Sequence, residues 1–214
     1  MIEHPYDLIA DDLSVISAFD SSGRPVTFWG DPQVGPVRSR IKHYYYSVQH
    51  MRCCYCNQQI LVDHMRAWDL EHVSSQARYP DFMFEPLNLA LACIDCNVAK
   101  RDEEVFSAPP PTGGYPLESS AFLICHPHYD ELSNHIAIFG GVLFVPLDNS
   151  PKGKFTISAC NLWRYATKLI GLDLNPEDPS LLDAIQRLQK GKTDAERRYA
   201  MLEVCLRVQG AFFH

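Results

Sequence analysis

The spacing of apolar positions divides the chain into stretches of different character. VRSRIKHYYYSVQHM (37–51) places Ile41, Tyr45 and Val48 on one face, with Tyr44 beside them, the pattern of a helix beginning after Pro36. HIAIFGGVLFVPL (135–147) alternates around Gly140-Gly141 as a hairpin does, and residues 117–158 as a whole read as strands. SLLDAIQRLQK (180–190) reads as a helix with Ser180 as its N-cap and Gly191 as its stop. DAERRYAMLEVCLRVQG (194–210) reads as a second, with acidic residues at its start and Gly210 at its end. Before residue 36 the turn signals SSGRP, WGDPQ and VGP separate short pieces, of which Val26–Trp29 reads as a strand. Residues 1–35 are therefore expected to be an arm, partner-facing or poorly ordered. APPPTGGYP (108–116) marks a Pro/Gly-rich linker over 106–116, between a segment at 36–105 and a C-terminal extension at 117–214. No internal repeat is present.

Composition narrows the class. The chain has 214 residues, 46% apolar and 21% charged, the balance of one ordinary globular domain or a small module with extensions. No apolar run approaches the ~18 residues that span a bilayer, and MIEHPYDLIADD lacks the basic start of a signal peptide, so a soluble, cytoplasmic protein is expected. The net charge of −7 argues against a free-standing, tight, non-specific nucleic-acid binder, although not against nucleic acid as a substrate. The charge is uneven: residues 1–35 carry six acidic groups and one basic, Arg24, whereas 36–105 carry nine and eight.

The cysteines carry the first chemical signal. Cys53-Cys54-Tyr55-Cys56 and Cys93-Ile94-Asp95-Cys96 each place two thiols on one tight turn, and two such turns supply the four ligands of a closed structural zinc site, Cys53, Cys56, Cys93 and Cys96. Cys54 is an alternative to Cys53, which has the standard spacing to Cys56. The 36 residues between the pairs require a folded insert. Cys125, Cys160 and Cys205 are isolated and read as packing residues; Asp63 and His64 read as turn residues.

Between and after the cysteine pairs stand Glu71-His72, Asn88-Leu89, Cys93-x-x-Cys96-Asn97 and Lys100, in that order. This succession resembles the HNH endonucleases over roughly residues 40–105. The resemblance implies a ββα-metal core, and with the rest of the chain an α+β fold. It implies His72 as general base, Glu71 and Asn97 as ligands of a catalytic Mg²⁺ or Mn²⁺, and Asp69 as a supporting acid or second ligand. It also implies Asn88 as the residue that pins the loop behind the base. Imidazole titrates near neutrality, which suits a base, and Mg²⁺ prefers oxygen ligands. Lys100 and Arg101 lie one turn into the helix, where a phosphate would be met. The chain departs from the usual pattern in having Glu where Asp is common, and Val73-Ser74-Ser75-Gln76 where a Pro-Lys step is common; Arg78 is the expected substitute for that lysine.

A second resemblance covers the tail. Pro127-His128-Tyr129-Asp130, His135-Ile136, Lys152-Gly153-Lys154-Phe155-Thr156-Ile157 and Leu162-Trp163-Arg164, with Tyr79 to Phe84 upstream, are similar to segments of the HNH partners of Septu-type antiphage systems and of some retron operons. It implies a defence nuclease acting on DNA, or on RNA such as tRNA, with an ATPase partner. His126, His128 and His135 form no clear ligand set and read as surface and hairpin residues. Two readings compete with the nuclease. One is a zinc-knuckle module that binds nucleic acid or protein without chemistry; the other is a structural subunit held together by zinc.

Overall fold

A computed structural model describes residues 1–62, 64–110, 114–166 and 179–193, together with 196, 200, 203 and 204. Its described part mixes helices with two small antiparallel sheets, an α+β fold. No described helix is long and apolar enough to cross a membrane.

The N-terminal segment is folded onto the core. α1 (Ala10–Ser21) precedes a 3₁₀ helix at Val26–Gly30, so the strand expected at Val26–Trp29 is replaced by a tight helical turn. Ile2, Phe19, Phe28 and Val34 are buried. They are too scattered to show a period, which is why the segment reads as an arm. Asp12 locks α1 down: it is fully buried, accepts the Ile9 N–H at 3.1 Å and pairs with Arg40 on the next helix. That helix, α2 (Gly35–Val48), buries Val37, Ile41 and Tyr45, four residues apart each time, while Val48 is exposed.

α2 packs across the first sheet, β1 (Trp68–His72) and β2 (Leu89–Cys93). The register sets Trp68 opposite Cys93 and His72 opposite Leu89. β2 is buried along its whole length and runs straight into α3 (Ile94–Lys100).

The remainder closes over this unit. The two ends of the stretch expected to be a linker are packed: Phe106 bridges Phe122, and Phe106 and Tyr115 are buried. β3 (Ile136–Phe139) and β4 (Leu143–Pro146) form the expected hairpin. Gly140 and Gly141 take φ of +58° and +74°, left-handed values that glycine adopts without steric cost. Pro151–Ala159, expected as strand, is a helix, α4, with Pro151 in its first turn and the Ser150 side chain capping the Gly153 N–H at 3.1 Å. α5 (Pro179–Lys190) matches the expected helix, and its Ala184, Ile185 and Leu188 pack on Leu143 and Val145. The helix expected over 194–210 lies largely outside the described residues, as does Cys205.

His126 and His128 are buried, not superficial. The His126 ring meets the Tyr115 hydroxyl at 2.9 Å, and His128 Nε2 donates to the Leu89 carbonyl at 2.8 Å, tying the extension to β2. The half-buried His135 bonds the Ser150 hydroxyl at 2.9 Å.

Gly153 lets α4 lie on the hairpin, because a Cβ there would overlap the His135 carbonyl oxygen. Gly153→Ala should cost about 2 kcal/mol through overpacking and lower the melting temperature by about 4–8 °C. An unchanged melting curve would refute this packing.

Candidate functional site

The cysteine cluster is built from two local turns. The first is a miniature hairpin: Arg52 bridges Gln59, Cys53 N–H donates to the Gln58 carbonyl at 3.1 Å, and Asn57 turns the chain at φ +55°. The second is the β2–α3 junction, where Cys93 closes the strand and Cys96 sits in the first turn of the helix. All four sulfurs lie within 4.8 Å of one another and all four residues are buried. Cys56 and Cys93 Sγ are 3.9 Å apart, close to the ~3.8 Å edge of a tetrahedron with Zn–S bonds of ~2.3 Å. The set therefore fits a structural zinc ion. Cys54 is not among the four clustered sulfurs; it is half-buried, and burial pushes its thiol up to about 11.

Two residues beside the cluster are missed by spacing arguments. Arg164 Nη2 donates to Cys96 Sγ at 3.1 Å, and the Tyr165 hydroxyl donates to Cys56 Sγ at 3.2 Å. Both come from the C-terminal extension. Four thiolates on one dication leave a net charge of −2, which an arginine and a hydroxyl donor offset. Arg164 stands in the Leu162-Trp163-Arg164 motif, so the signal in the sequence marks a support for the metal centre.

His72 ends β1, and its ring lies in a carbonyl cradle. Nε2 is 2.9 Å from the Met83 carbonyl oxygen, which can only accept, so Nε2 carries the proton and Nδ1 holds the lone pair. Burial lowers the His72 pKa to about 4; the bond to Met83 opposes the shift and Lys100 adds to it. The imidazole is neutral at pH 7. Trp29 meets it edge to face at 4.5 Å.

Asn88 holds the loop that supplies Met83. Its Oδ1 accepts from Ser74 N–H at 2.7 Å and Ser74 Oγ at 2.8 Å, and its Nδ2 donates to the carbonyls of Ser74 and Phe82 at 3.1 and 2.9 Å. The side chain is fully buried and acts on His72 only through the backbone.

The acids differ from expectation. Glu71 and Lys100, 2% and 1% exposed, form a buried ion pair at 2.7 Å, and Glu71 also accepts the Tyr55 hydroxyl at 3.0 Å. Burial raises the Glu71 pKa against the opposing pull of Lys100 and Tyr55. The Glu71 carboxylate is thus engaged inside the fold. Lys100 is engaged too, since its ammonium also donates to the His72 carbonyl at 3.0 Å, so it does not face a phosphate. The reason is register: Asp69 and Glu71 lie on the face of β1 that α3 covers, and Lys100, one turn beyond Cys96, reaches Glu71. Asp69 takes the outer place and accepts Asn97 Nδ2 at 2.8 Å. Arg78 is turned away; it reaches the Asp102 carbonyl and lies 3.9 Å from Glu104.

Asp69, His72 and Asn97 meet at one polar cavity of about 560 Å³, which Arg101 also lines. Three further lining residues, Trp29, Arg38 and Lys42, escape the motif reading. The signal for the last two is their i,i+4 spacing on α2, beside the Val37–Ile41–Tyr45 stripe. Lys42 donates to the Met65 carbonyl at 2.9 Å; burial lowers its pKa, which Asp69 opposes. No protein family, curated protein or solved structure matches the chain in comparisons with known proteins.

Two consequences can be measured. Arg164→Met should keep one zinc per chain yet weaken it about 10–100-fold in competition with a chromogenic chelator; unchanged affinity would remove Arg164 from the metal centre. Lys100→Met strands a buried carboxylate and should cost about 3–5 kcal/mol in urea unfolding, with Glu71→Gln added to it recovering part of the loss. A loss below 1 kcal/mol would show that the pair is not a buried charge pair.

Proposed function

We propose that the cavity is the active site of a metal-dependent HNH-type nuclease that hydrolyses phosphodiester bonds of nucleic acid. The observation that carries this reading is the meeting of His72, Asp69 and Asn97 at one polar cavity, on a strand–strand–helix unit whose helix starts in the cysteine cluster. His72, neutral and with Nδ1 unprotonated, takes the proton of the attacking water as the new O–P bond forms and the bond to the leaving oxygen breaks. Asn88 and Met83 hold the tautomer that makes this transfer possible. Asp69 and Asn97 present hard oxygen donors from facing elements, and with Glu71 paired to Lys100 they are the residues that would hold Mg²⁺ or Mn²⁺. Such an ion, when bound, supplies Lewis-acid stabilisation of charge on the phosphate and leaving oxygens.

The wider role, an antiphage effector with an ATPase partner, rests on the tail motifs. In the fold those residues make supports: Asp130 pairs with Lys152 at 2.6 Å, and Arg164 reaches the cysteine cluster. They favour a shared scaffold more than a shared trigger. The buried Glu71–Lys100 pair favours the second reading, a zinc-knuckle binding module without chemistry, because it engages the carboxylate next to His72 in an internal ion pair.

The test is cleavage of duplex DNA, single-stranded DNA and tRNA with Mg²⁺ or Mn²⁺, comparing wild type, His72→Ala and Asp69→Ala at matched zinc content and melting temperature. His72→Ala should lower the rate about 10²- to 10⁴-fold, and Asp69→Ala should abolish the metal dependence together with most of the activity. Cutting by His72→Ala at the wild-type rate would rule out the reading.

A further inference from the structure

The chain is acidic overall, with a net charge of −7, yet the wall of this cavity is cationic. Arg38 and Lys42 stand one turn apart on α2, and Arg101 faces them from the end of α3. Elsewhere the arginines and lysines that hold the fold together are matched with carboxylates: Arg40 with Asp12, Lys100 with Glu71, Lys152 with Asp130, Arg164 with Asp95. Among the described residues Arg38, Lys42 and Arg101 have no such match, and neither do Arg52, Arg66 and Lys154; what sets the first three apart is that they line one cavity. Lys42 donates to a backbone carbonyl, and Arg101 Nε to the Val98 carbonyl at 3.3 Å. The Arg38 guanidinium lies 5.8 Å from the Trp29 ring centre, and the same ring touches His72. All three cations line the cavity that His72 also lines. Of the two carboxylates at the cavity, Glu71 is neutralised by Lys100, so Asp69 is the open one.

We propose that Arg38 and Lys42 on α2, opposed by Arg101, form the clamp that grips the sugar–phosphate backbone on either side of the bond to be cut. The proposal rests on the nuclease reading of the cavity and adds the surface that recognises the substrate. Guanidinium and ammonium groups without carboxylate partners match phosphate oxygens, and the guanidinium fork can hold two at once. The clamp also replaces the phosphate contacts expected of Lys100 and Arg78, which the fold uses internally. The element that grips the strand is then the helix before the first cysteine pair.

The test uses the full, zinc-loaded chain carrying His72→Ala, so that substrate binds without being cut. Fluorescence anisotropy is read with short labelled single-stranded DNA, the RNA of the same sequence, and the duplex. Arg38→Gln and Lys42→Gln should each weaken binding about tenfold on whichever probe binds best, and each should reduce the salt slope by about one. Lys154→Gln, exposed on α4 away from the cavity, is the control and should change neither. Unchanged binding in both cavity variants, beside a wild type whose cutting needs His72, overturns the clamp and leaves the nuclease standing. Equal weakening by Lys154→Gln overturns it as well, since the effect is then one of overall charge. Binding that needs Arg38 and Lys42, in a chain whose wild type does not cut, supports the clamp and removes the nuclease. No binding by any chain and no cutting by the wild type overturns both.

Discussion

Four buried sulfurs within 4.8 Å of one another are the constraint on which the rest depends. As thiolates they repel in a low-dielectric site, and a bound dication turns that repulsion into attraction. The cluster joins elements far apart in sequence: the hairpin at 52–59, the β2–α3 junction, and the segment that delivers Arg164 and Tyr165. α3 has seven residues, too few to hold a helix in water by itself. It is fastened at one end by Cys93 and Cys96 and at the other by the Lys100 ion pair. Asn97 stands between these fastenings, which is why it meets Asp69 at a defined distance.

The cavity depends on a second set of buried polar groups. Asn88 satisfies all its donors and acceptors within the loop, and that loop carries the Met83 carbonyl to His72. Satisfied buried polar networks are rigid, because breaking any member leaves an unpaired group in a low dielectric. The loop fixes which imidazole nitrogen is free, and the cysteine cluster fixes where α3 presents Asn97. α1 and Asp12 set the third side by holding α2, and with it Arg38 and Lys42, against the strands.

Legibility in the sequence followed contiguity. The cysteine pairs, the Gly-Gly hairpin and α5 are each decided within a few residues, and each stands where the pattern puts it. The N-terminal segment reads as an arm because Ile2, Phe19, Phe28 and Val34 are buried without a repeating interval. α4 does not read as a helix because PKGKFTISA has no amphipathic stripe; Gly153, where it lies against the His135 carbonyl, and its Ser150 cap decide it. Burial of the extension's histidines was invisible for the same reason, since their partners Tyr115 and Leu89 are distant in the chain.

Taken alone, the sequence determined the two cysteine pairs able to hold one metal ion and the polar residues available to a site between and beyond them, while the strands and helix that carry those residues were implied only by the resemblance. Tight turns and short helices obey local spacing, and spacing is written in the chain. Only the tertiary structure decided how the charges were shared out. Whether a carboxylate faces solvent or a lysine depends on which strand face a helix covers, and that is a property of packing. It placed Lys100 on Glu71, left Asp69 with Asn97, turned Arg78 away and brought Arg38 and Lys42 to the cavity from a helix outside the motif.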